Sequence, residues 1–126
     1  MRYMLLVYTK ESAVARSSSE EMAQVVRKHH EVMEEANRKG IYRGAEPLKP
    51  TSTATTVRMK DGQRLTIDGP FAETKEQLAG YYILDCENLD EAIEWAAKIP
   101  TRCGGEDGCI EIRPIHPIPQ PTPLNG

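Results

Sequence analysis

The sequence predicts an α+β domain with a ferredoxin-like sheet, two helices on one face of that sheet and an inserted β-hairpin. Three observations predict this class. The 126 residues have the length of one domain, and 39% apolar and 28% charged residues are typical of a globular protein. Apolar runs of strand length flank two amphipathic segments of helical period. In the middle of the chain, Asp61-Gly62 is a strong signal for a two-residue hairpin turn.

The first half of the chain begins with a continuous apolar run from Tyr3 to Tyr8, which is typical of a central strand. A loop over Thr9 to Ser17 follows, and the capping box Ser18-Ser19-Glu20-Glu21 begins a helix. Gly40 ends this helix, because a left-handed residue is needed there. The predicted apolar face of the helix consists of Met22, Val25, Val26, His29, Met33 and Ala36.

The second half returns through a strand over Ile41 to Leu48 and then forms the hairpin. Ser52 to Arg58 and Arg64 to Ile67 supply its two arms. A strand over Gly80 to Leu84 comes next, and Asn88 caps a second helix. The predicted buried stripe of that helix is Leu89, Ala92, Ile93, Ala96 and Ile99, with Trp95 flanking it.

The end of the chain holds a last strand and a proline-rich tail. Pro100 ends the second helix, a glycine-rich loop over Arg102 to Gly108 follows, and Cys109 to Arg113 form the strand. The five prolines between Pro114 and Gly126 cannot continue a sheet or begin a helix. We therefore expect an extended, polyproline-like and mobile terminus.

Charge, hydropathy and cysteine content exclude several classes of protein. The net charge of −3, with both signs interspersed, offers no positive face to nucleic acid. The longest apolar stretch is far shorter than the ~20 residues that cross a bilayer, and no export signal opens the chain. Cys86, Cys103 and Cys109 are odd in number and are interpreted as free thiols of a reducing compartment. We expect a cytoplasmic protein without membrane or nucleic-acid partners.

The predicted sheet has an uncovered face. A ferredoxin-like sheet carries its helices on one face only, and the other face is too apolar and too large to leave in water. A second copy of the chain is expected to cover it. The predicted assembly is a homodimer in which two sheets pack together.

The run from Asp68 to Lys75 is the most unusual segment of the sequence. Turn chemistry explains its start, because Asp bonds its own following amides, Gly permits unusual dihedral angles and Pro fixes one. Glu73 and Glu76 are also typical of the first turn of a short helix. The functional alternative rests on the density of carboxylates, a hydroxyl and an ammonium beside a rigid bend, and it makes Asp68 a candidate site residue.

His29 is the candidate proton-transfer group. Adjacent helical residues point about 100 degrees apart, and the apolar spacing turns His29 rather than His30 inward. A histidine on an apolar stripe is more often a packed core residue than a catalyst. It is, however, the side chain whose unperturbed pKa suits proton transfer near neutrality.

No metal or organic cofactor is predicted. A structural zinc at Cys103 and Cys109 would need two further ligands at short spacings, and none is placed to help. The run from Gly104 to Gly108 lacks the strand-loop-helix setting and the lysine of a phosphate-binding loop.

With these motifs assembled, the chain resembles the YCII-related family, in the branch named after its Asp-Gly-Pro-Phe motif. The resemblance implies a domain over residues 1–115, followed by a proline-rich tail over 116–126. It also implies a ferredoxin-like fold that dimerises through its sheets as a dimeric α/β barrel, similar to some small isomerases and monooxygenases. The segments that carry the resemblance are Met1–Tyr8, Pro50–Arg58, Asp68–Tyr82, Asp90–Pro100 and Ile110–Pro114.

The resemblance also bears on the site. The family's histidine lies on the first helix, eleven residues before the glycine that ends it, and His29 and Gly40 have that interval. The family's aspartate follows the second helix in an Asp-Pro pair, whereas this chain has Ile99-Pro100 there. By our inference, Asp68 on the inserted hairpin is the natural substitute.

The sequence leaves two functions open and does not decide whether the protein is an enzyme. The first is proton transfer on a small polar or carbonyl-bearing molecule, as in an isomerase or lyase, with His29 as base and Asp68 orienting it. Tyr8, Glu46 and Lys75 would then contact the substrate. The second is a non-catalytic module that binds a small ligand or a sigma factor, because some family members are fused to sigma-factor domains.

Overall fold

A computed structural model describes residues 1–119 and 121–122 as a four-stranded sheet, a separate two-stranded hairpin and three helices. A 3-10 turn over Thr51–Thr53 precedes the hairpin. In chain order the elements are β1 (Arg2–Thr9), α1 (Glu11–Ala15), α2 (Ser19–Arg38), β2 (Tyr42–Pro47), β3 (Thr55–Lys60), β4 (Gln63–Asp68), β5 (Gln77–Asp85), α3 (Leu89–Ala96) and β6 (Cys109–Pro114).

The main sheet has the strand order β2-β5-β1-β6, and every neighbouring pair is antiparallel. Its first and last strands in the chain, β1 and β6, are neighbours, while β2 forms the opposite edge. The first β-α-β half consists of β1, α2 and β2, and the second consists of β5, α3 and β6. Each half therefore contributes one central and one edge strand. This arrangement confirms the ferredoxin-like α+β class that the sequence predicts.

The core lies between one face of this sheet and helices α2 and α3. Tyr3, Leu5 and Val7 alternate along β1 with partly exposed residues, as expected when successive side chains point to opposite faces. The residues that meet them in the buried cluster include Tyr82 and Leu84 of β5, Val32 and Ala36 of α2, and Ala92 and Trp95 of α3. The opposite face of the sheet has no covering helix among the described residues.

Three helical predictions were wrong. On α2, Val26 of the predicted apolar face is 47% exposed, whereas Val32, which was not predicted there, is 5% exposed. Residues Glu11–Ala15 were expected in a loop but form α1, with Ala13 only 1% exposed. In α3, Trp95 is a core residue rather than a flanking one, whereas Leu89 and Ile93 are about half exposed. The helix is turned so that its largest apolar side chain is buried, and the Lys98 ammonium covers the indole ring at 4.3 Å.

The inserted hairpin forms where it was predicted. Asp61 and Gly62 both have positive φ, at 50° and 76°, which suits a two-residue turn between twisted strands. Its first arm begins at Thr55 rather than Ser52, because the Glu11 carboxylate holds Thr51 in the preceding turn. That carboxylate accepts from the backbone N–H of Thr51 (2.7 Å) and from its hydroxyl (2.8 Å).

The glycine-rich loop before β6 is a packing element. A Cβ on Gly104 would lie 1.9 Å from the Ala13 carbonyl oxygen, and one on Gly108 would lie 2.1 Å from that of Tyr8. The loop also contacts α2, since the backbone N–H of Gly104 donates to the Glu21 carboxylate at 2.8 Å. These glycines therefore permit close backbone approach, which explains them without any bound phosphate.

The part of the tail that the structure describes has no helix or strand beyond Pro114. The backbone N–H of Ile115 still donates to the Arg2 carbonyl at 2.9 Å, which continues the alignment with β1. Residue 120 and residues 123–126 of the predicted tail lie outside the described residues. None of the described helices is both long and apolar enough to cross a membrane.

Candidate functional site

The candidate site is a cavity of about 740 Å³ on the helix side of the sheet. Its walls come from α1 and α2, from the ends of β1 and β2, from the segment after β2, from the start of β5 and from the loop over residues 100–103. The volume lies within the range of small-molecule sites, roughly 300–1,000 Å³. His29, Met33 and Tyr82 are among the residues that line it.

His29 and Tyr82 form the polar feature of this cavity. The imidazole Nδ1 lies 2.5 Å from the Tyr82 hydroxyl oxygen. The two rings are stacked, with centroids 5.8 Å apart and planes inclined by 26°. Tyr82 is 3% exposed, so the pair is anchored in the core on the tyrosine side and reaches the cavity on the histidine side.

Local structure explains how the two side chains meet. The Ser18 hydroxyl caps α2 by accepting from the backbone N–H of Glu21 at 3.0 Å. Val32 and Ala36 are the buried residues that fix this helix against the sheet. His29 precedes Val32 by three residues, so the two side chains are neighbours on the helix surface. On β5, Tyr82 lies on the same face as the buried Gly80 and Leu84.

The surroundings set the protonation state of the pair. Burial lowers the pKa of His29, and the neighbouring His30 lowers it further. Burial also raises the pKa of Tyr82 well above its usual value, with a smaller contribution from Tyr42. Near pH 7 the site therefore holds a neutral imidazole beside a protonated phenol.

A neutral imidazole in this bond can offer a ligand either a donor or a base. When the phenol donates to Nδ1, the second ring nitrogen Nε2 carries the proton. When Nδ1–H donates to the phenol oxygen, Nε2 is free to accept a proton. The arrangement is thus suited to moving one proton at Nε2, provided that the ligand places an acidic C–H or a carbonyl oxygen there.

The other predicted site residues do not gather around His29. Glu46 borders the cavity, but its pairing with Tyr81 puts its side chain on the opposite face of the sheet from Tyr82. Tyr8 lies just after a register shift in the pairing of β1 with β5, and it does not line the cavity. Asp68 and Lys75 are exposed, and neither lines the cavity.

Asp68 instead closes the base of the hairpin, opposite Thr55. The next residue, Gly69, has a φ of 102° and donates its N–H to the Ala54 carbonyl at 2.7 Å. The Thr56 hydroxyl donates back to the Gly69 carbonyl at 2.8 Å. Residues 69–76 contain no helix, so Glu73 and Glu76 do not begin one. Its aromatic residue Phe71 is 77% exposed.

Tyr82 is the residue that sequence reasoning missed. The run Gly80-Tyr81-Tyr82-Ile83-Leu84 indicates a strand, but two adjacent tyrosines leave open which of them faces the helices. The signal was present in Leu84, since an inward Leu84 requires an inward Tyr82 two residues earlier. Only the packing of α2 on that face then shows that the phenol meets His29.

Comparison with known proteins places the chain in a family. Residues 1–119 match the model of the YCII-related domain. An uncharacterised protein of Rhizobium meliloti (strain 1021) is 38% identical over 115 residues, which cover 91% of this chain and 92% of that protein. The match spans the sheet, the helices and the cavity-lining residues described above. The chain therefore belongs to the YCII-related family.

Proposed function

We propose that this protein is a small enzyme that transfers a proton on a carbonyl-bearing molecule, with His29 as the catalytic base. The observation that carries the proposal is the hydrogen bond between the His29 imidazole and the Tyr82 hydroxyl at the wall of a ligand-sized cavity. A base that works near pH 7 must be unprotonated there, and the lowered pKa of His29 meets that condition.

The chemistry needs only the two side chains and the substrate. In the base form, Nδ1–H donates to the Tyr82 oxygen and Nε2 accepts a proton from carbon next to the substrate carbonyl. The C–H bond breaks, and its electron pair passes to the carbonyl oxygen as an enolate. In a substrate whose enolate is conjugated with a carbon–carbon double bond, returning the proton to the far carbon of that system moves the double bond and completes an isomerisation. Tyr82 is a positioning residue here, because it holds the imidazole and accepts from its imidazolium form.

The sequence-derived candidates have a smaller place in this proposal. Tyr82 takes the orienting role that was expected of Asp68. Glu46 borders the cavity, whereas Asp68, Tyr8 and Lys75 would contact substrate only if a second copy brought their surfaces to it. The runner-up function is a non-catalytic module that binds a small ligand or a sigma factor, and the same apolar cavity supports ligand binding without any proton transfer.

We also propose that the protein is a cytoplasmic homodimer. On the uncovered sheet face, the central strands present apolar residues that are only partly buried, and the edge strands add charged residues such as Glu46 and Glu111. The half-buried residues of that face include Met4, Leu6, Tyr81 and Ile83. The three cysteines are free thiols, which suits a reducing compartment.

Deuterium exchange tests the proposed reaction without knowledge of the natural substrate. A panel of ketones and enolisable acids is incubated with the protein in D2O, and proton NMR follows the loss of C–H signal next to the carbonyl. We expect wild-type protein to label at least one member of the panel, and His29→Asn to slow labelling by about 100-fold or more. His116→Asn is the matched control, because this exposed histidine does not line the cavity.

Two results would count against the enzyme. Labelling that is equal in wild type and His29→Asn would remove His29 from the chemistry. Absence of labelling across the panel, in protein that binds members of the same panel, would favour the binding module.

A further inference from the structure

We infer that the ligand of this cavity is an uncharged, largely apolar molecule with a single carbonyl or enol oxygen at its buried end. The inference deepens the proposed function, because it names the substrate class of the same site. It rests on the composition of the cavity wall and on where the charged residues around it lie. It departs from the small polar molecule that the sequence suggests.

The wall of the cavity is apolar on several sides. The side chains come from α2, from β1, from the segment after β2 and from the start of β5. The main apolar residues are Val7, Met22, Val25, Met33, Leu48 and Leu78. Burying a carbon skeleton against such a wall is favourable at roughly 25 cal/mol per Å² of apolar surface, whereas a polar skeleton would lose its hydrogen bonds to water.

The charged residues that border the cavity are either bonded to other groups or exposed to water, where their charge is screened. The Glu11 carboxylate is occupied by the N–H and hydroxyl of Thr51. Arg102 is exposed and donates to Asp107 at 2.9 Å. Lys49 and Glu46 are exposed to solvent at the rim.

An anionic or cationic group placed among the apolar side chains would therefore give up its hydration without gaining a counter-charge. His29 cannot provide that charge near pH 7, since its imidazole is neutral there. Such a loss disfavours charged ligands strongly.

The polar group at the buried end of the cavity suits a ligand with one oxygen atom. The hydrogen-bonded His29–Tyr82 pair is its polar anchor, and their bond uses only one of the two imidazole nitrogens. A carbonyl or enol oxygen can accept from or donate to the other nitrogen. A single such group on an otherwise apolar skeleton satisfies the pair and leaves no other polar atom to be buried unpaired.

Two fluorescent naphthalene dyes distinguish the ligand classes. Prodan is uncharged and carries one ketone, whereas anilinonaphthalene sulfonate has a similar aromatic body and a permanent negative charge. We expect prodan to bind one site per chain with a blue-shifted emission, and to bind at least about tenfold more tightly than the sulfonate. The full-length chain is titrated with each dye separately.

A matched pair of variants locates the binding. Met33→Gln puts an amide into the cavity wall and should weaken prodan binding by about tenfold. Leu89→Gln puts the same amide on α3, where Leu89 is 50% exposed and does not line the cavity, and should leave binding unchanged.

The inference is overturned if the sulfonate binds wild-type protein as tightly as prodan, if prodan does not bind, or if the two variants behave alike. These results are independent of proton transfer. If prodan binds but no deuterium exchange is found, the proposed proton transfer is wrong and the inferred ligand class stands. If exchange is found but prodan does not bind, the ligand class is wrong and the proposed proton transfer stands.

Discussion

Among the single residues, His29 is a candidate base because it is hydrogen-bonded to Tyr82, and not because of any contact with Asp68. A helical histidine on an apolar stripe usually serves packing, and periodicity alone cannot tell a packed imidazole from a poised one. The difference lies in the cavity on one side of the ring and the buried phenol on the other. The Asp-Gly-Pro-Phe segment has a structural account of its own, since its Asp and Gly close the base of the hairpin.

Gly104 offers a prediction at this scale. Its φ of 60° is left-handed, and a Cβ there would meet the Ala13 carbonyl oxygen at 1.9 Å. Gly104→Ala should therefore lower the free energy of unfolding by about 3 kcal/mol, from backbone strain and overpacking together. Denaturant unfolding followed by circular dichroism measures the change.

Gly105→Ala is the matched control for that substitution. Gly105 also has a left-handed φ, of 82°, but a Cβ there meets nothing within 4 Å. It should cost about 1 kcal/mol, from strain alone. Equal losses in the two variants would show that the close approach of the loop to α1 does not contribute to stability.

At the scale of secondary-structure elements, pattern was sufficient where an element carries its own signals. The cap at Ser18, the hairpin turn at Asp61-Gly62 and the apolar run of β1 all lie where the sequence predicts them. Each depends on residues that are adjacent in the chain. Residues that are close in sequence are therefore sufficient to predict these three features.

The elements that were misjudged depend on distant partners. β5 begins at Gln77, three residues before the predicted Gly80, because Gln77 pairs with Thr9 and its side-chain oxygen accepts from the Glu11 N–H at 2.9 Å. α1 forms where Ala13 is buried against the glycine-rich loop. Neither partner is visible in the local sequence.

α3 shows a further limit of pattern reasoning. Its sequence supports two apolar stripes, one containing Leu89 and Ile93 and the other containing Ala92 and Trp95. Both satisfy the helical period, so the pattern could not choose between them. Packing against the sheet chose the stripe that buries Trp95 at 4% exposure. The site was limited in the same way, because the His29–Tyr82 contact joins residues 53 positions apart.

At the scale of the whole molecule, the two faces of the sheet differ in what covers them. One face and its helices enclose the core and the cavity. The other presents a half-buried apolar surface, and a two-stranded hairpin extends from the domain with several large apolar side chains exposed. These are Val57, Met59, Leu65 and Ile67. A second copy would remove both surfaces from water, which is the physical basis of the proposed dimer.

The dimer leads to a prediction for Leu6 on the uncovered face. Wild-type protein should show a solution mass of twice the 14.1 kDa chain by light scattering at micromolar concentration. Leu6→Glu, which puts a charge into the proposed interface, should yield a folded species of one chain mass. Leu89→Glu is the control, because Leu89 is 50% exposed on α3, away from that face. A wild-type mass of one chain would contradict the dimer.

The central claim is that His29 is a neutral, tyrosine-bonded base at neutral pH, and an NMR titration of its imidazole nitrogens tests this most directly. The burial that lowers the pKa of His29 predicts a midpoint below the usual 6.5, so that the ring is uncharged at pH 7. Its Nδ1 resonance should carry the signature of a hydrogen bond that disappears in Tyr82→Phe. A midpoint at or above 6.5, or an Nδ1 resonance unchanged in Tyr82→Phe, would contradict the account.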